Sequence, residues 1–307
     1  MERKWINAGI MLLVSIGLTA CRTAPAAKAS VEDRLTANDR LGAPSTSPEV
    51  RPGEFVGFDR NVYPGDDRLA ELRRHFAFTG FWLNLPPGAD ANTWSGKRRT
   101  LVDAGFGFLV LFNGRVDADI KRSRLAADTL GRQDAADAIA ATRREGFPDQ
   151  TIVFLDQEEG GRLLPEQAAY FFAWTEAVST SAFRPGAYLS GQPSEDGVGT
   201  DGKPLMITTA QDVREHVAAQ HLHPVVFWVA QDTCPPSPGC TVQAPRLRES
   251  GTLDATVWQF AQSPRRPAIT QSCAKTYAAD GLCYAGVSSD LFVDLNVANS
   301  ADPSHGR

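Results

Sequence analysis

Residues 151–161 read TIVFLDQEEGG, an apolar run that leads directly into three carboxylates and two glycines. Its length and its content of β-branched and aromatic residues predict a buried strand. Successive side chains of a strand point to opposite faces, so Phe154, Asp156 and Glu158 share one face. The stretch therefore predicts a strand that carries two carboxylates on one face at its C-terminal end.

The pattern of an apolar run followed by a helical segment recurs along residues 53–300. The eight apolar runs read EFVGFD, FTGFWLNL, FGFLVLFNG, TIVFLD, RPGAYLSG, HPVVFWVAQ, ATVWQFAQ and LFVDLNVA. Strands that mostly alternate with helices in this number predict an α/β fold, a (β/α)8 TIM-barrel-like domain. A doubly wound open sheet is the alternative, but it would place a glycine-rich phosphate turn after the first strand. The corresponding stretch, FDRNVYPGDD, contains no such turn.

Carboxylates from three of these strands are expected to meet at one end of the barrel. The face that carries Asp156 and Glu158 points to the axis, and active sites of such barrels lie at the C-terminal end of the strands. Asp59 ends the first strand and Asp294 lies in the eighth, which are neighbours when the barrel closes, while the fourth lies across from them. Four carboxylates at one mouth cannot all ionise at low cost, so some pKa values must rise and supply an acid for catalysis. The alternative is that these acids cap helices or pair with arginines.

The other two polar residues of the opening stretch, Gln157 and Glu159, alternate to the face that packs against helices. We expect both to be bystanders, with Glu159 in solvent or capping the next helix. A polar Gln157 is unusual on that face, unless the strand has already ended there. The glycines at 160–161 allow the chain to turn sharply toward the next helix.

Aromatic residues at strand ends suit a glycan groove, because flat rings stack on the apolar faces of pyranose rings. The candidate substrate-binding residues are Trp82, Tyr188, Trp228 and Trp258, with Gln259 beside the last. Each ring lies in or near the end of a predicted strand. The alternative for each of them is ordinary packing in the core.

The N-terminus predicts export. Residues 1–20 form a signal peptide, with a basic start (MERKWINAG), a short apolar run (IMLLVSIG) and then LTA before the cysteine. The sequence LTAC resembles a bacterial lipobox, which implies that Cys21 is lipidated; the alternative is an ordinary signal peptide with an incidental cysteine. Residues 21–52 are then a disordered tether, rich in Ala, Pro, Ser and charge. We expect an exported protein, lipid-anchored in the bacterial envelope, at the periplasmic side of the outer membrane or at the cell surface.

The four remaining cysteines are Cys234, Cys240, Cys273 and Cys283. An even number in an exported chain predicts two disulfides. Of the three connectivities, we favour the pairing of sequence neighbours, because it closes the shortest loops. A metal site is the alternative, but the spacing is not C-x-x-C and no histidine is close, so we expect no metal.

Charge and missing motifs exclude several other functions. The net charge is −5 and the pI is about 5.6, so the chain does not have the concentrated basic surface that nucleic acid requires. The sequence contains no G-x-S-x-G, no H-E-x-x-H and no P-loop. We expect no cofactor. The expected partners of a monomeric protein are a glycan and, through the lipid anchor, a membrane.

A family resemblance extends over nearly the whole domain, from about Gly53 to Val297. The segments that carry it are, in order, GFDRNVYPGD, TGFWLNLPPG, KRRTLVDAGFGFLVLFNG, GFPDQTIVFLDQEEG, YFFAWTEAV, RPGAYLS, VVFWVA, VWQFAQ and FVDLN. Together they resemble the glycoside-hydrolase-like family known as domain of unknown function 1906, which is related to the family 25 lysozymes. The resemblance implies a (β/α)8-like barrel and an acidic site.

The resemblance also implies roles for the carboxylates. In the lysozymes the glutamate of the D-x-E motif is the proton donor, so Glu158 is the candidate general acid. Asp156 would orient water or stabilise the oxocarbenium-like charge, and Asp59 and Asp294 would position these groups and tune their pKa values. The implied substrate is the β-1,4 bond between N-acetylmuramic acid and N-acetylglucosamine. The alternative is a catalytically silent barrel that binds glycan or organises the envelope.

Overall fold

The computed structural model describes residues 53–120, 123–231, 244–262, 291 and 293–307. The predicted signal peptide and tether lie outside the described residues. So do all five cysteines, Cys21, Cys234, Cys240, Cys273 and Cys283. Lipidation and disulfide pairing therefore stay predictions.

Eight of the described strands close a barrel, in the order β1-β10-β9-β8-β5-β4-β3-β2. The strands are β1 Phe55–Asp59, β2 Phe78–Trp82, β3 Gly107–Asn113, β4 Ile152–Gln157, β5 Arg184–Ser190, β6 Ser194–Val198, β7 Pro204–Ile207, β8 Val226–Ala230, β9 Ala255–Ala261 and β10 Asp294–Ala298. The additional pair, β6 and β7, forms an antiparallel hairpin after β5. The predicted α/β barrel of eight strands is thus confirmed, and β4 includes the apolar run of the opening stretch.

Five α-helices of the described chain connect the strands. They are α1 Leu69–Arg73, α2 Arg98–Asp103, α3 Arg124–Arg144, α4 Pro165–Ser179 and α5 Thr209–Gln220. The long helices α3 and α4 pack closely at Gly131, where an added Cβ would overlap the carbonyl oxygen of Tyr170. Among the described helices, none combines the length and the apolar character that a membrane crossing requires.

The last strand runs in the opposite direction to the others. The sequence pattern predicts parallel strands throughout, but β10 pairs antiparallel with both β1 and β9. β9 ends at the barrel mouth, where the parallel strands have their C-terminal ends, and β10 begins at that mouth and runs back. Asp294 is therefore the first residue of its strand, and it lies directly across from Asp59 in the register.

Side chains along the strands alternate between the barrel axis and the surrounding helices, as the sequence predicts. Phe154 and Asp156 face the axis, since the Phe154 ring contacts Trp228 on the non-adjacent strand β8, with ring centroids 5.8 Å apart. Two strands away, Gly80 leaves space for the site, because a Cβ there would lie 2.7 Å from the Cβ of Asp59. A side chain at this position of β2 would displace Asp59 from the wall of the barrel.

The C-terminal segment, residues 302–307, binds to the N-terminal ends of β3 and β4, at the end of the barrel opposite the mouth. Asp302 Oδ1 accepts a hydrogen bond from the Phe108 amide at 2.8 Å, and Ser304 Oγ accepts one from the Val110 amide at 2.8 Å. The carbonyl oxygen of Ser304 accepts from the Ile152 amide at 2.8 Å. The segment thus satisfies backbone donors at the start of two strands.

Candidate active site at the barrel mouth

Strand β4 delivers two carboxylates to the mouth. Asp156 is the penultimate residue of the strand and is only 6% exposed, whereas Glu158 follows the strand end and is exposed to solvent. In the register, Asp156 lies between Asn113 of β3 and Tyr188 of β5. One short stretch therefore carries a buried acid and an accessible acid.

Asp59 is fixed by two side-chain amides. Its Oδ2 accepts hydrogen bonds from Gln259 Nε2 at 3.0 Å and from Asn296 Nδ2 at 2.7 Å. These donors come from β9 and β10, on the side of β1 where the barrel closes. Because Asp59 is 6% exposed, its carboxylate depends on these amides rather than on water.

Two aromatic side chains support these amides in turn. The Tyr188 hydroxyl donates to Gln259 Oε1 at 2.7 Å, and the Trp228 indole Nε1 donates to Asn296 Oδ1 at 2.9 Å. The two rings are in contact, with centroids 4.6 Å apart. Asp59 is thus the common acceptor of a hydrogen-bond network that spans β1, β5, β8, β9 and β10.

Burial and mutual repulsion raise the pKa values of the acids. Burial raises the pKa of Asp59 to about 6, against the effect of its two amide donors, and Glu158 adds repulsion. The pKa of Asp156 is raised well above its usual range, first by burial and then by Glu158 and Asp59. The pKa of Glu158 is also raised, first by partial loss of surrounding water and then by repulsion from the neighbouring Glu159. The residue as a whole is nevertheless exposed.

Strand pairing brings the predicted acids toward one end of the barrel. Asp294 pairs with Asp59, and Glu158 follows Asp156 at the end of β4. Tyr188 pairs with Asp156 and donates to Gln259, the amide that donates to Asp59. Burial is the main cause that raises the pKa of Tyr188, and four carboxylates add to it: Asp59, Asp156, Asp294 and Glu158. Charges near a buried group are screened little by solvent. The predicted convergence of the acids on one mouth is therefore consistent with the electrostatics around this ring.

One oxygen of Asp156 stands out from the rest of the site. Among the described residues, no group forms a hydrogen bond with the buried Asp156 Oδ1. A buried carboxylate without a donor is costly, whereas a protonated carboxyl group is neutral. The geometry therefore favours the protonated form of Asp156.

Comparison with known proteins agrees with this architecture. Residues 86–237 match the family model of the Rv2525c-like, glycoside hydrolase-like domain. The matched part of the chain is similar to that family. No curated protein sequence matches the chain.

Solved structures share the fold of this glycoside hydrolase-like domain. A crystal structure of an uncharacterised protein from B. stearothermophilus is 22% identical, with a TM-score of 0.50 over 80% of this chain and 95% of the other. The Tat-secreted protein Rv2525c of Mycobacterium tuberculosis, in complex with HEPES, is 13% identical, with a TM-score of 0.47 over 82% and 98% of the two chains. A family GH25 lysozyme from Aspergillus fumigatus is 12% identical, with a TM-score of 0.39 over 80% and 94%.

The predicted substrate-binding aromatics of the glycoside hydrolase-like domain are buried. The exposed fractions of Trp82, Tyr188, Trp228 and Trp258 are 4%, 8%, 1% and 4%. Trp82 and Trp258 donate their indole N–H groups to the carbonyl oxygens of Arg60 and Gln231. The four rings are packed inside the protein and form hydrogen bonds with its polar groups. None of them exposes a ring face, so stacking on a sugar stays a prediction.

Gln259, the fifth predicted substrate-binding residue, uses its amide inside the protein. The amide donates to Asp59 and accepts from Tyr188, and Gln259 is 2% exposed. Trp258, its neighbour in β9, alternates to the opposite face, away from the acids. The structure therefore supports an indirect role for Gln259, through Asp59.

Glu159 and Gln157 take part in a structural hydrogen-bond network, so Glu159 does not simply lie in solvent. Glu159 accepts hydrogen bonds from the Asp117 amide at 3.0 Å, from Gln157 Nε2 at 3.3 Å and from the side chain of Gln167. Gln157 belongs to β4 and is buried. Glu159 thus links the loop after β3 to helix α4. Gln157 donates a hydrogen bond to Glu159, which explains a polar residue on the helix-facing side of β4.

Asn296 is the functional candidate that sequence reasoning missed. It is fully buried and donates the shorter of the two hydrogen bonds to Asp59. The sequence could have indicated Asn296 by its position two residues after Asp294, because this spacing places Asn296 and Asp294 on the same face of the strand. Its partner Trp228 is 68 positions away, so their contact was beyond any local pattern.

Proposed function

We propose that this protein is a lipid-anchored glycoside hydrolase of the cell envelope that cleaves peptidoglycan or a related glycan by carboxylate acid/base catalysis. The observation that carries the proposal is the set of four carboxylates at the mouth, where Asp294 pairs with Asp59 and where Asp156 and Glu158 stand at the end of β4. Among them, Asp59, Asp156 and Glu158 have raised pKa values, which favours the protonated form of each. Paired carboxyl groups of unequal acidity are what glycosidic cleavage requires.

Glu158 is the proposed general acid, because it is exposed and its raised pKa favours the protonated form. It would give this proton to the glycosidic oxygen while the bond from that oxygen to the anomeric carbon breaks. The positive charge that develops on the sugar faces Asp59, whose pKa of about 6 leaves it ionised above that pH. Water then adds to the anomeric carbon and returns a proton to a carboxylate, with Asp156 orienting the water.

The test is release of reducing ends from purified peptidoglycan by the wild type and by Glu158→Gln. Loss of a general acid costs about 10²–10⁴-fold in rate, and we expect a decrease of this size. Glu195→Gln is the matched control, since Glu195 is an exposed glutamate of strand β6. Equal release by wild type and Glu158→Gln would remove Glu158 from the mechanism.

A catalytically silent glycan-binding barrel is the second candidate. The low exposure of Asp59 and Asp156, 6% each, favours it, because a sugar can reach these acids only to a small extent. Sedimentation with insoluble peptidoglycan separates the two functions. Tight binding of the wild type with no release of reducing ends would favour the silent barrel, whereas release that depends on Glu158 would exclude it.

The lipid anchor is supported by the sequence of residues 1–20 followed by Cys21. A short apolar signal segment delivers the chain to the export machinery, and acyl chains on one cysteine hold the product on a membrane. We expect cells fed labelled palmitate to incorporate label into the wild type and not into Cys21→Ser. Label in both proteins would place the lipid elsewhere, and label in neither would leave a secreted protein without an anchor.

A further inference from the structure

The Trp228 indole imposes a direction on the hydrogen-bond network at the mouth. It is 1% exposed, and its Nε1 lies 2.9 Å from Asn296 Oδ1. An indole N–H can only donate a hydrogen bond, so the atom of Asn296 that faces it must be the oxygen. The NH₂ group of Asn296 then faces Asp59, where it donates to Oδ2 at 2.7 Å.

The second amide reaches the same oxygen of Asp59. Gln259 Nε2 donates to Asp59 Oδ2 at 3.0 Å, while Gln259 Oε1 accepts from the Tyr188 hydroxyl. A hydroxyl can donate or accept, so Tyr188 could serve Gln259 in either orientation. The fixed end of the network is therefore the indole of Trp228.

We propose that Trp228 is a positioning residue of the candidate active site: acting through Asn296, its N–H dedicates Asp59 Oδ2 to accepting hydrogen bonds. An oxygen that accepts two N–H groups has no room for a proton, so only Oδ1 of Asp59 can carry one. This inference rests on the proposed function for its catalytic meaning, while the proton placement itself does not depend on catalysis. The result is an Asp59 that changes its protonation state at one defined atom.

The charged and titratable groups around Asp59 come from three strands. They are Asp156 and Glu158 at the end of β4, Tyr188 of β5 and Asp294 of β10. From β2, the position beside Asp59 is Gly80, which does not titrate. Any change in Asp59 caused by Trp228 must therefore be measured with these acids unchanged.

The Trp228→Phe variant removes the N–H and keeps an aromatic ring. The amide of Asn296 is then free to rotate and to turn its oxygen toward Asp59 Oδ2. Two oxygens can share this contact only if a proton lies between them, so Asp59 would hold its proton to higher pH. We expect the titration midpoint of Asp59 to rise by about one pH unit.

The experiment is a carboxyl carbon NMR titration of the intact protein, with the Asp59 signal identified by its loss in Asp59→Asn. Trp94→Phe is the matched control, because Trp94 is also fully buried and donates to a backbone carbonyl oxygen, that of Asn61, at 3.2 Å. We expect the midpoint to rise in Trp228→Phe and to stay in Trp94→Phe. An unchanged midpoint in a folded Trp228→Phe, or an equal rise in both variants, would overturn the proposal.

Asn296→Ala keeps the proposal testable if Trp228→Phe does not fold. It removes the donor directly, so the Asp59 midpoint must rise, and an unchanged midpoint would contradict the proposal. Where both variants fold, adding Trp228→Phe to Asn296→Ala should cause no further rise, because Trp228 acts only through Asn296. Additive rises would show a merely structural role. Since the titration requires no turnover, an inactive protein that passes it would refute the proposed hydrolase and not the proton placement.

Discussion

The two ends of the barrel satisfy their polar groups in opposite ways. At the mouth, Asp156 Oδ1 is buried without a partner in the described structure, and the neighbouring acids have raised pKa values. At the other end, Asp302 and Ser304 accept hydrogen bonds from strand amides at 2.8 Å. The difference indicates that the two ends have different roles. Hydrogen bonds at one end stabilise the fold, whereas the mouth keeps buried acids that reduce stability and are available for chemistry.

The end of the barrel opposite the mouth, called the closed end below, is stabilised because the C-terminal segment supplies hydrogen-bond acceptors to backbone amides that would otherwise have none. The amides of Phe108 and Val110 lie near the start of β3, and side chains 194 positions later in the chain accept their hydrogen bonds. An unsatisfied buried amide costs about 1–3 kcal/mol. The Arg98 guanidinium adds a further link by donating to the carbonyl oxygen of Gly306 at 2.7 Å. The last residues of the chain are thus part of the barrel.

The largest expected loss of stability comes from a substitution at Gly107, the first residue of β3. An added Cβ there would overlap the carbonyl oxygen of Ala301 and lie 2.6 Å from Asp302 Cα. Backbone atoms cannot move aside as a flexible side chain does, so Gly107→Ala should displace the C-terminal segment. We expect a loss of about 3 kcal/mol in the free energy of unfolding, measured by urea denaturation.

Gly191→Ala, at the mouth end of β5, is the matched control. Its added Cβ would lie 3.3 Å from the nearest atom, the carbonyl oxygen of Ala230, which is a tight but acceptable contact. We expect a change within about 1 kcal/mol. If Gly191→Ala cost as much as Gly107→Ala, the closed end would have no special part in stability.

The position of the acids could be predicted from the sequence because it depends on a period of two. Alternation alone places Asp156 on the axis-facing side of β4, and the strand end places Glu158 beside it. The direction of β10 could not be predicted in this way, since alternation is the same whichever way a strand runs. Asp294 therefore reached the mouth as predicted, but as the first residue of a reversed strand.

The amides and the closed end could not be predicted, because they depend on contacts between distant parts of the chain. Asp59 meets Gln259 and Asn296 across 200 and 237 positions. The segment 302–307 is short and polar, with no apolar period to indicate that it packs on the barrel. Burial of the predicted aromatic residues was likewise decided by packing, which composition does not encode.

A substitution at Asp59, in the mouth, should have a smaller effect on the free energy of unfolding and should increase it. Burial raises the pKa of Asp59 from 3.8 to about 6. The folded state therefore binds more protons than the unfolded state between these pH values, so stability falls as pH rises from about 4 through about 6. Asp59→Asn removes the charge while its side-chain oxygen can still accept from Gln259 and Asn296. The variant should be more stable than the wild type by about 2 kcal/mol at pH 7.5.

The pH dependence of this gain distinguishes a buried charge from a general packing effect. At pH 4 the wild-type Asp59 is largely protonated, so urea denaturation should show almost no difference between wild type and Asp59→Asn. Asp137→Asn, an exposed position of helix α3, is the control and should change stability by less than about 0.5 kcal/mol at either pH. A gain of equal size at pH 4 and pH 7.5 would mean that the Asp59 charge is not costly. The contrast between the two ends of the barrel would then reduce to packing alone.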